Sequence, residues 1–519
     1  MLSRLLPRRV VPHGKSLATP APHALDYTLL DFGKGDVWTL RDACEGTQVF
    51  GATGSGKTSG SGMALLNSFL KAGYGGLILT TKTDDAPTYL EACRRAGRIK
   101  DVRIFTVGAR DYGVCQATCE RFNFLNHELT RAGPGGGLTH NLVYMLGTVA
   151  EVGSGRSSRG RMDPFWDFAR DEMLVHAIEL LAFARGRITL PELYEFISTA
   201  PNTPEALASE AKRAETQGSA KLSFAYQCLR DAQAKLAHQP VGSAKYRDLW
   251  QAAIYWQQRF PTMGARTQSS IIAHFTGIAM ALLSSPIRDL FCSDQPDTIQ
   301  PADSFAGTII LLDLPVKEFH HVGRYCQTVW KYAWQMAVEQ RDVATHQRPV
   351  FLWADEAQNF ITSFDAQFQA TARSKRAATV YLTQNLSSYL DEMGGASAEA
   401  AVMALLGNLA TKIFHANGDQ QTNVFASNLA GRAWRIRRNR SFTQAADGFA
   451  KALLSPASPS HTRGMNEDVV DKLLPEVFTR FRKGGEPNGR KVDAMIFQSG
   501  RTWHGNAGEN YLLYSFEQT

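Results

Sequence analysis

The segment Gly51-Ala52-Thr53-Gly54-Ser55-Gly56-Lys57-Thr58 constrains the fold of this chain more than any other. It satisfies G-x-x-x-x-G-K-[ST] at all four specified positions, the pattern of a glycine-rich loop that cradles phosphate. Glycines let the backbone turn tightly, so successive N–H groups can point at the phosphates of a nucleotide. The candidate nucleotide-binding set is therefore Gly51, Thr53, Gly54, Ser55, Gly56, Lys57 and Thr58. Lys57 is expected to reach the β- and γ-phosphates, and the Thr58 hydroxyl to ligate Mg²⁺. A helix over about 58–71 would add the positive end of its dipole. ATP and Mg²⁺ are the expected cofactors.

The flanking pattern fits such a loop. Residues 48–50 read as a short buried strand, and 76–81 and 102–107 have strand length and composition, with helical sequence over 86–96 between them. Strand, helix, strand is the signature of a parallel sheet with both faces covered. The alternation then stops. Residues 163–185 read as one amphipathic helix, and 188–259 as helical and polar, with an apolar face from Leu222, Phe224, Leu229, Leu236, Leu249 and Trp256. An all-α insertion over 186–262 is expected. Strand patterning returns at 308–313, 350–353, 379–382 and 411–414, and the segments 494–497 and 511–514 suggest a terminal hairpin. The expected organisation is a basic arm and lead-in over 1–38, a nucleotide-binding domain over 39–185 and 263–519, and the helical insertion between its two parts.

Composition narrows the class. With 44% hydrophobic and 20% charged residues among 519, the chain is neither disordered nor fibrous, and it is long enough for more than one core. Its net charge of +7 suits a nucleic-acid partner, though only weakly. The seven cysteines are scattered, and Cys115 and Cys119 lack a second pair at metal-ligand spacing, so ordinary thiols are expected rather than zinc. Arg4, Arg8, Arg9 and Lys15 form a basic arm interrupted by Pro7 and Pro12. No apolar run approaches the ~20 residues that span a bilayer. A cytoplasmic protein is expected, reaching the inner membrane only through a partner. The glycine-rich stretches 133–137 and 153–160 are expected to be mobile loops.

A second motif adds chemistry to the phosphate loop. Val350-Phe351-Leu352-Trp353 is an apolar strand that ends in Asp355 and Glu356. Mg²⁺ takes oxygen ligands, so Asp355 can hold it together with Thr58. Glu356 is then placed to orient or deprotonate an attacking water, which favours hydrolysis. The next strand ends in Gln384, the candidate sensor of the γ-phosphate. Between these strands Arg373 and Arg376 could each complete the site of a neighbouring subunit, or lie on a solvated helix. Arg432, Arg435, Arg437, Arg438 and Arg440 surround Trp434. DNA contact and a solvated or inter-subunit surface are both open readings of that cluster.

Taken together these segments closely resemble the type IV secretion coupling proteins, the VirD-, TraD- and TraG-like ATPases of conjugative DNA transfer. The resemblance runs from about residue 30 to the end. It rests on GATGSGKTSGSG (51–62), TTKTDD (80–85), DPFWDFARDEML (163–174), SSPIRDLFCSD (284–294) and IILLDLPVKEFHHVGR (309–324). WADEAQNF (353–360), YLTQN (381–385) and TKIFHANGDQQTNVFAS (411–427) complete it. It implies a RecA-like P-loop NTPase core with a mainly parallel sheet, an inserted all-α domain, and a hexameric ring working on DNA. By position Lys57 and Thr58 match the family's Walker A pair, Asp355 and Glu356 its Walker B pair, and Gln384 its sensor. Arg373, eleven residues before Gln384, falls at its proposed arginine finger.

The expected function is that of an ATP-hydrolysing DNA translocase that brings a DNA–relaxase or protein substrate to a type IV secretion channel, here without the usual transmembrane anchor. DNA binding without base specificity is expected. An FtsK- or HerA-type pump outside secretion and a nucleotide-gated adaptor are the alternatives.

Overall fold

The computed structural model describes residues 21–118, 120–133, 135–153, 164–217, 221–394, 398–443 and 460–518. The basic arm through residue 20, Cys119 and the glycine-rich stretch from residue 154 onward lie outside the described residues.

β1 (Thr28–Asp31) and β2 (Val37–Thr39) form a hairpin ahead of β3 (Thr47–Phe50), which feeds the phosphate loop. β4 (Gly75–Leu79) and β5 (Val102–Thr106) follow, with the helix Asp85–Arg95 between them, and then the short pair β6 (Arg110–Asp111) and β7 (Gln116–Ala117). After a long helical stretch come β8 (Ile309–Asp313), β9 (Val350–Asp355), β10 (Ala377–Thr383) and β11 (Thr411–Phe414). β12 (Arg432–Thr443) and β13 (Ser460–Asp471) make a two-stranded ribbon, and β14 (Lys491–Gln498) and β15 (Tyr511–Glu517) close the chain.

Among the described residues, nine strands form one sheet in the order β15-β14-β11-β3-β10-β9-β4-β8-β5. From β11 to β5 every pairing is parallel, while β14 and β15 add an antiparallel edge. Alternate side chains of each strand enter different cores. Leu77, Leu79, Ile310, Leu312, Val350 and Leu352 face one; Ile78, Ile309, Leu311, Phe351 and Trp353 face the other. Burying each such side chain contributes about 1.5–3 kcal/mol, so strands apolar on both faces are held from both sides. The helices Met63–Lys71 and Asp85–Arg95 cover one face, and Val316–Gln340 covers the other.

The helical stretch is wider than the 186–262 expected from the sequence. Among the described residues no strand interrupts it from Phe124 to Phe291. The helix Pro164–Arg185 buries Met173, Leu174, Ala177, Ile178 and Leu181 and packs against Phe224–Leu236, Ala244–Ile254 and Ala265–Leu283. A boundary at residue 186 would cut through that packed layer. The amphipathic pattern of 163–185 identified a helix but not the partners that bury its apolar face. No described helix is long and apolar enough to cross a membrane.

Candidate active site

The loop between β3 and the following helix is set by close backbone approach. Gly56 has φ +81°, and a Cβ there would meet Val492 Cγ2 at 2.6 Å. Only glycine combines that backbone region with that contact. Gly51 is equally confined, because a Cβ would lie 2.4 Å from Ser55 Oγ. Thr53 and Gly54 are exposed at the tip. Ser55 Oγ is buried without a hydrogen-bond partner among the described residues. The helix opens with one π turn, Thr58–Gly62, where Gly62 N donates to Lys57 O at 2.9 Å, and continues as Met63–Lys71.

β10 lies between the phosphate-loop strand β3 and the acidic strand β9, so three parallel carboxyl ends converge. Lys57 Nζ lies 2.9 Å from Glu356 Oε1 and 3.8 Å from Asp355 Oδ1. Thr58 Oγ1 donates to Asp355 Oδ2 at 2.7 Å. Glu356 adopts φ +53°, ψ +48°, a left-handed conformation that costs a non-glycine residue about 1–2 kcal/mol. Three bonds hold it there: Glu356 N donates to Asp355 Oδ1 and Asn359 Nδ2 to Glu356 O, each at 2.9 Å, and Asn359 N to Glu356 O at 3.0 Å. This turn directs the carboxylate back toward Lys57.

Burial works against the charge of Glu356, but Lys57 and hydrogen bonds from Gln358, Lys57 and Gln384 outweigh it and hold its pKa below the usual range. Burial likewise opposes the charge on Lys57, and Asp355 and Glu356 reverse the balance, raising its pKa. Both side chains are thus charged at neutral pH. Gln384 Nε2 reaches both Glu356 oxygens at 3.4 Å, a long contact that leaves the amide free to exchange partners. The phosphate loop, Lys82, Glu356 and Gln384 enclose a cleft of about 270 Å³.

These residues suit a nucleoside triphosphate with Mg²⁺. A cationic amine, an orphaned hydroxyl and glycines without room for a Cβ surround the cleft, and the hydroxyl–carboxylate pair of Thr58 and Asp355 is an all-oxygen donor set for the metal.

The two arginines lie elsewhere. β10 begins immediately after Arg376 and ends immediately before Gln384, a span of about 23 Å for its seven residues. Arg373 pairs with Glu45 at 3.0 Å, and Arg376 donates to the carbonyls of His23 and Gln347. Neither joins the site of its own chain. Of the Arg432–Arg440 cluster, Arg432 pairs with Asp471 and Trp434 is 72% exposed on the ribbon. The rest of the cluster continues β12, with Arg437 paired to Asn466 and Arg440 to Arg463 in the backbone ladder.

Sequence reasoning missed several contributors. Gln358 donates to Glu356 Oε2 at 2.8 Å and accepts from Thr383 Oγ1 at 2.6 Å, linking the acid to β10. Asp85 accepts from Thr81 N and Lys82 N, which shapes the loop after β4; burial pushes its pKa up to about 6. Asn417 Nδ2 donates to Gln384 O at 2.8 Å. His415, fully buried, stands 2.6 Å from Ser61 Oγ and 2.9 Å from Asp493 O, and burial lowers its pKa to about 4. Gln358, Asp85, Asn417 and His415 all fall inside quoted motifs, but only the fold gives them partners.

Residues 349–474 match a family model described as the TraM recognition site of TraD and TraG. Among solved structures, the plasmid coupling protein TrwB with the ATP analogue ADPNP matches with TM-score 0.55 at 12% identity, over 92% of this chain and 87% of that one. TrwB with ADP and Mg²⁺ gives TM-score 0.53 at 12% identity, over 92% and 86%. The trigonal form of the conjugative coupling protein TrwBdeltaN70 with sulphate gives 0.57 at 12% identity, over 93% and 88%. No curated protein matches in sequence. The fold is therefore the RecA-like α/β fold expected, and the resemblance to the type IV secretion coupling proteins is borne out.

Proposed function

We propose that this chain is an ATP-hydrolysing DNA translocase that couples a DNA–relaxase or protein substrate to a type IV secretion channel. The observation that carries the hydrolytic part is Glu356, charged and held 2.9 Å from Lys57 at the mouth of the phosphate loop. ATP entering the cleft would offer phosphate oxygens to Lys57 Nζ in place of the carboxylate. Glu356 Oε1, released from that ion pair, could then accept a proton from water as it attacks the γ-phosphate. Mg²⁺, held by Thr58 and Asp355, would neutralise charge on the β- and γ-phosphates. Gln384, already in reach of both Glu356 oxygens, would exchange toward the γ-phosphate and register its loss.

The proposed assembly is a homo-hexamer in which Arg373 acts on a neighbour's nucleotide, since within one chain it lies at the far end of β10. The proposed partners are DNA, bound through its backbone, a relaxase or secreted protein, and channel components through which the protein meets the membrane. The family-model match supports a protein-docking role for residues 349–474, by analogy with the TraM recognition site of TraD and TraG.

The deciding experiment is the ATPase rate with and without single- and double-stranded DNA, beside size measurement with nucleotide. Stimulation by DNA together with a nucleotide-dependent ring is expected. Hydrolysis indifferent to DNA would sink the translocase reading, and nucleotide-dependent partner binding with negligible turnover would favour the adaptor.

A further inference from the structure

A second, larger cleft of about 700 Å³ adjoins the nucleotide cleft and shares Lys82, Glu356 and Gln384 with it. Its outer wall is the N-terminal turns of the helix Val316–Gln340 after β8, carrying Lys317, His320, His321 and Arg324. Arg324 is bound to Glu392 by two bonds of 3.0 Å, whereas Lys317 and His320 have exposed side chains.

The first of these turns is rigidly placed. Lys317 N donates to Thr81 O at 2.9 Å, joining it to the loop after β4. Buried Gln327 accepts from Thr80 N and donates to Thr80 O and Leu314 O, each at 2.8 Å, so the ends of β4 and β8 are stapled to the helix. His320 sits at φ +49°, ψ −129°, at a kink between two helical segments of Val316–Gln340. A non-glycine residue there carries strain of about 1–3 kcal/mol, and such strain persists where the surroundings over-determine it, often at functional sites.

We propose that this second cleft is the exit subsite for inorganic phosphate, which leaves past Glu356 and Gln384 onto Lys317 and His320 while ADP still fills the phosphate loop. The inference rests on the hydrolytic reading above. In an in-line displacement the phosphoryl group moves away from the β-phosphate toward the attacking water. The general base therefore marks the side on which phosphate is formed. ADP blocks the way back through the loop, and the second cleft opens on the Glu356 side. An ammonium and an imidazole N–H are donors suited to an anion of that size and charge.

The test uses the full chain with Mg²⁺ and ATP. Quenched-flow measures bond cleavage, and a fluorescent phosphate-binding sensor measures free phosphate. The variant Lys317→Met/His320→Gly removes both donors, and glycine accepts the backbone of residue 320 without strain. Its cleavage rate should match the unmodified protein while phosphate release slows about tenfold, the loss of roughly one charged hydrogen bond. Lys317→Arg, which keeps the charge, should release phosphate nearly as fast as the unmodified protein. Unchanged release in the double variant overturns the exit subsite and leaves hydrolysis standing. Absence of cleavage in the unmodified protein overturns both. A defect that appears only with DNA present overturns it in favour of a DNA surface.

Discussion

Two buried lysine–carboxylate pairs flank the central strand β10, and they differ in setting. Lys331 and Asp365 are 1% and 0% exposed, whereas Lys57 and Glu356 are each 7% exposed at the edge of a cleft. Asp365 accepts from Lys331, from Gln335 at 2.9 Å, from Tyr381 at 2.6 Å and from Thr362 N at 2.7 Å. Burial opposes its charge, but Lys331 and these bonds overcome it and hold its pKa low. Glu356 has the same chemistry with looser partners: Lys57 divides between two acids and Gln384 stands at 3.4 Å. A sealed pair with every partner fixed can only stabilise. A pair with exchangeable partners, open to a cleft, can trade one of them for a phosphate. The two are mechanically joined, since Tyr381 of β10 binds Asp365 and lies three residues before Gln384, which follows the strand directly.

Substitutions can break this contrast. Glu356→Gln should lower ATP turnover by about 10²–10⁴-fold, the usual contribution of a general base, while leaving nucleotide binding and the denaturation midpoint nearly unchanged. If that variant instead unfolds, the open pair is structural after all. Lys331→Ala should do the reverse, costing about 3–5 kcal/mol because Asp365 is left as an uncompensated buried charge. Chemical denaturation would detect it, and an unaffected midpoint would refute the sealed reading.

The pH dependence sharpens the picture behind the loop. The folded pKa of His415 is about 4, against 6.5 for the free side chain. Between those values the unfolded state binds more protons. The stability that comes from keeping His415 neutral is therefore complete above pH 6.5 and is lost as pH falls toward 4, by at most about 3 kcal/mol. His415→Gln should flatten denaturation midpoints across that window; an unchanged slope would show that burial of this ring does not set the pH dependence. The smallest effect is expected at Gln384. Its replacement by Ala should slow turnover about tenfold, the value of one modest hydrogen bond in the transition state, with ATP affinity little altered. A loss as large as that of Glu356→Gln would make Gln384 part of the base itself.

Much of the candidate site could be read directly from the chain. Gly51 to Thr58 carry their conformational demand in the residue types, and an apolar strand running into Asp355-Glu356 announces acids at the carboxyl end of a strand. The limits of the helical stretch were less legible, because the apolar stripe on 163–185 is equally compatible with packing on the sheet or on other helices. Gln358 and His415 gave no signal of their own. An amide two residues after an acid and a histidine after a strand are common, and their roles depend on Thr383, Ser61 and Asp493, each far away in sequence.

The sequence by itself determined the glycine-rich loop, the parallel strands that are apolar on both faces, and the acids and amide at their carboxyl ends. These follow from local requirements: positive φ, strand composition and charge at a strand end. Only the tertiary structure decided that β10 lies between β3 and β9, so that Lys57, Glu356 and Gln384 meet, that the arginines fall at the opposite edge, and that a second cationic cleft opens beside Glu356. Strand order is a long-range property. It is fixed by which apolar faces can be buried together, and no local window of residues contains that information.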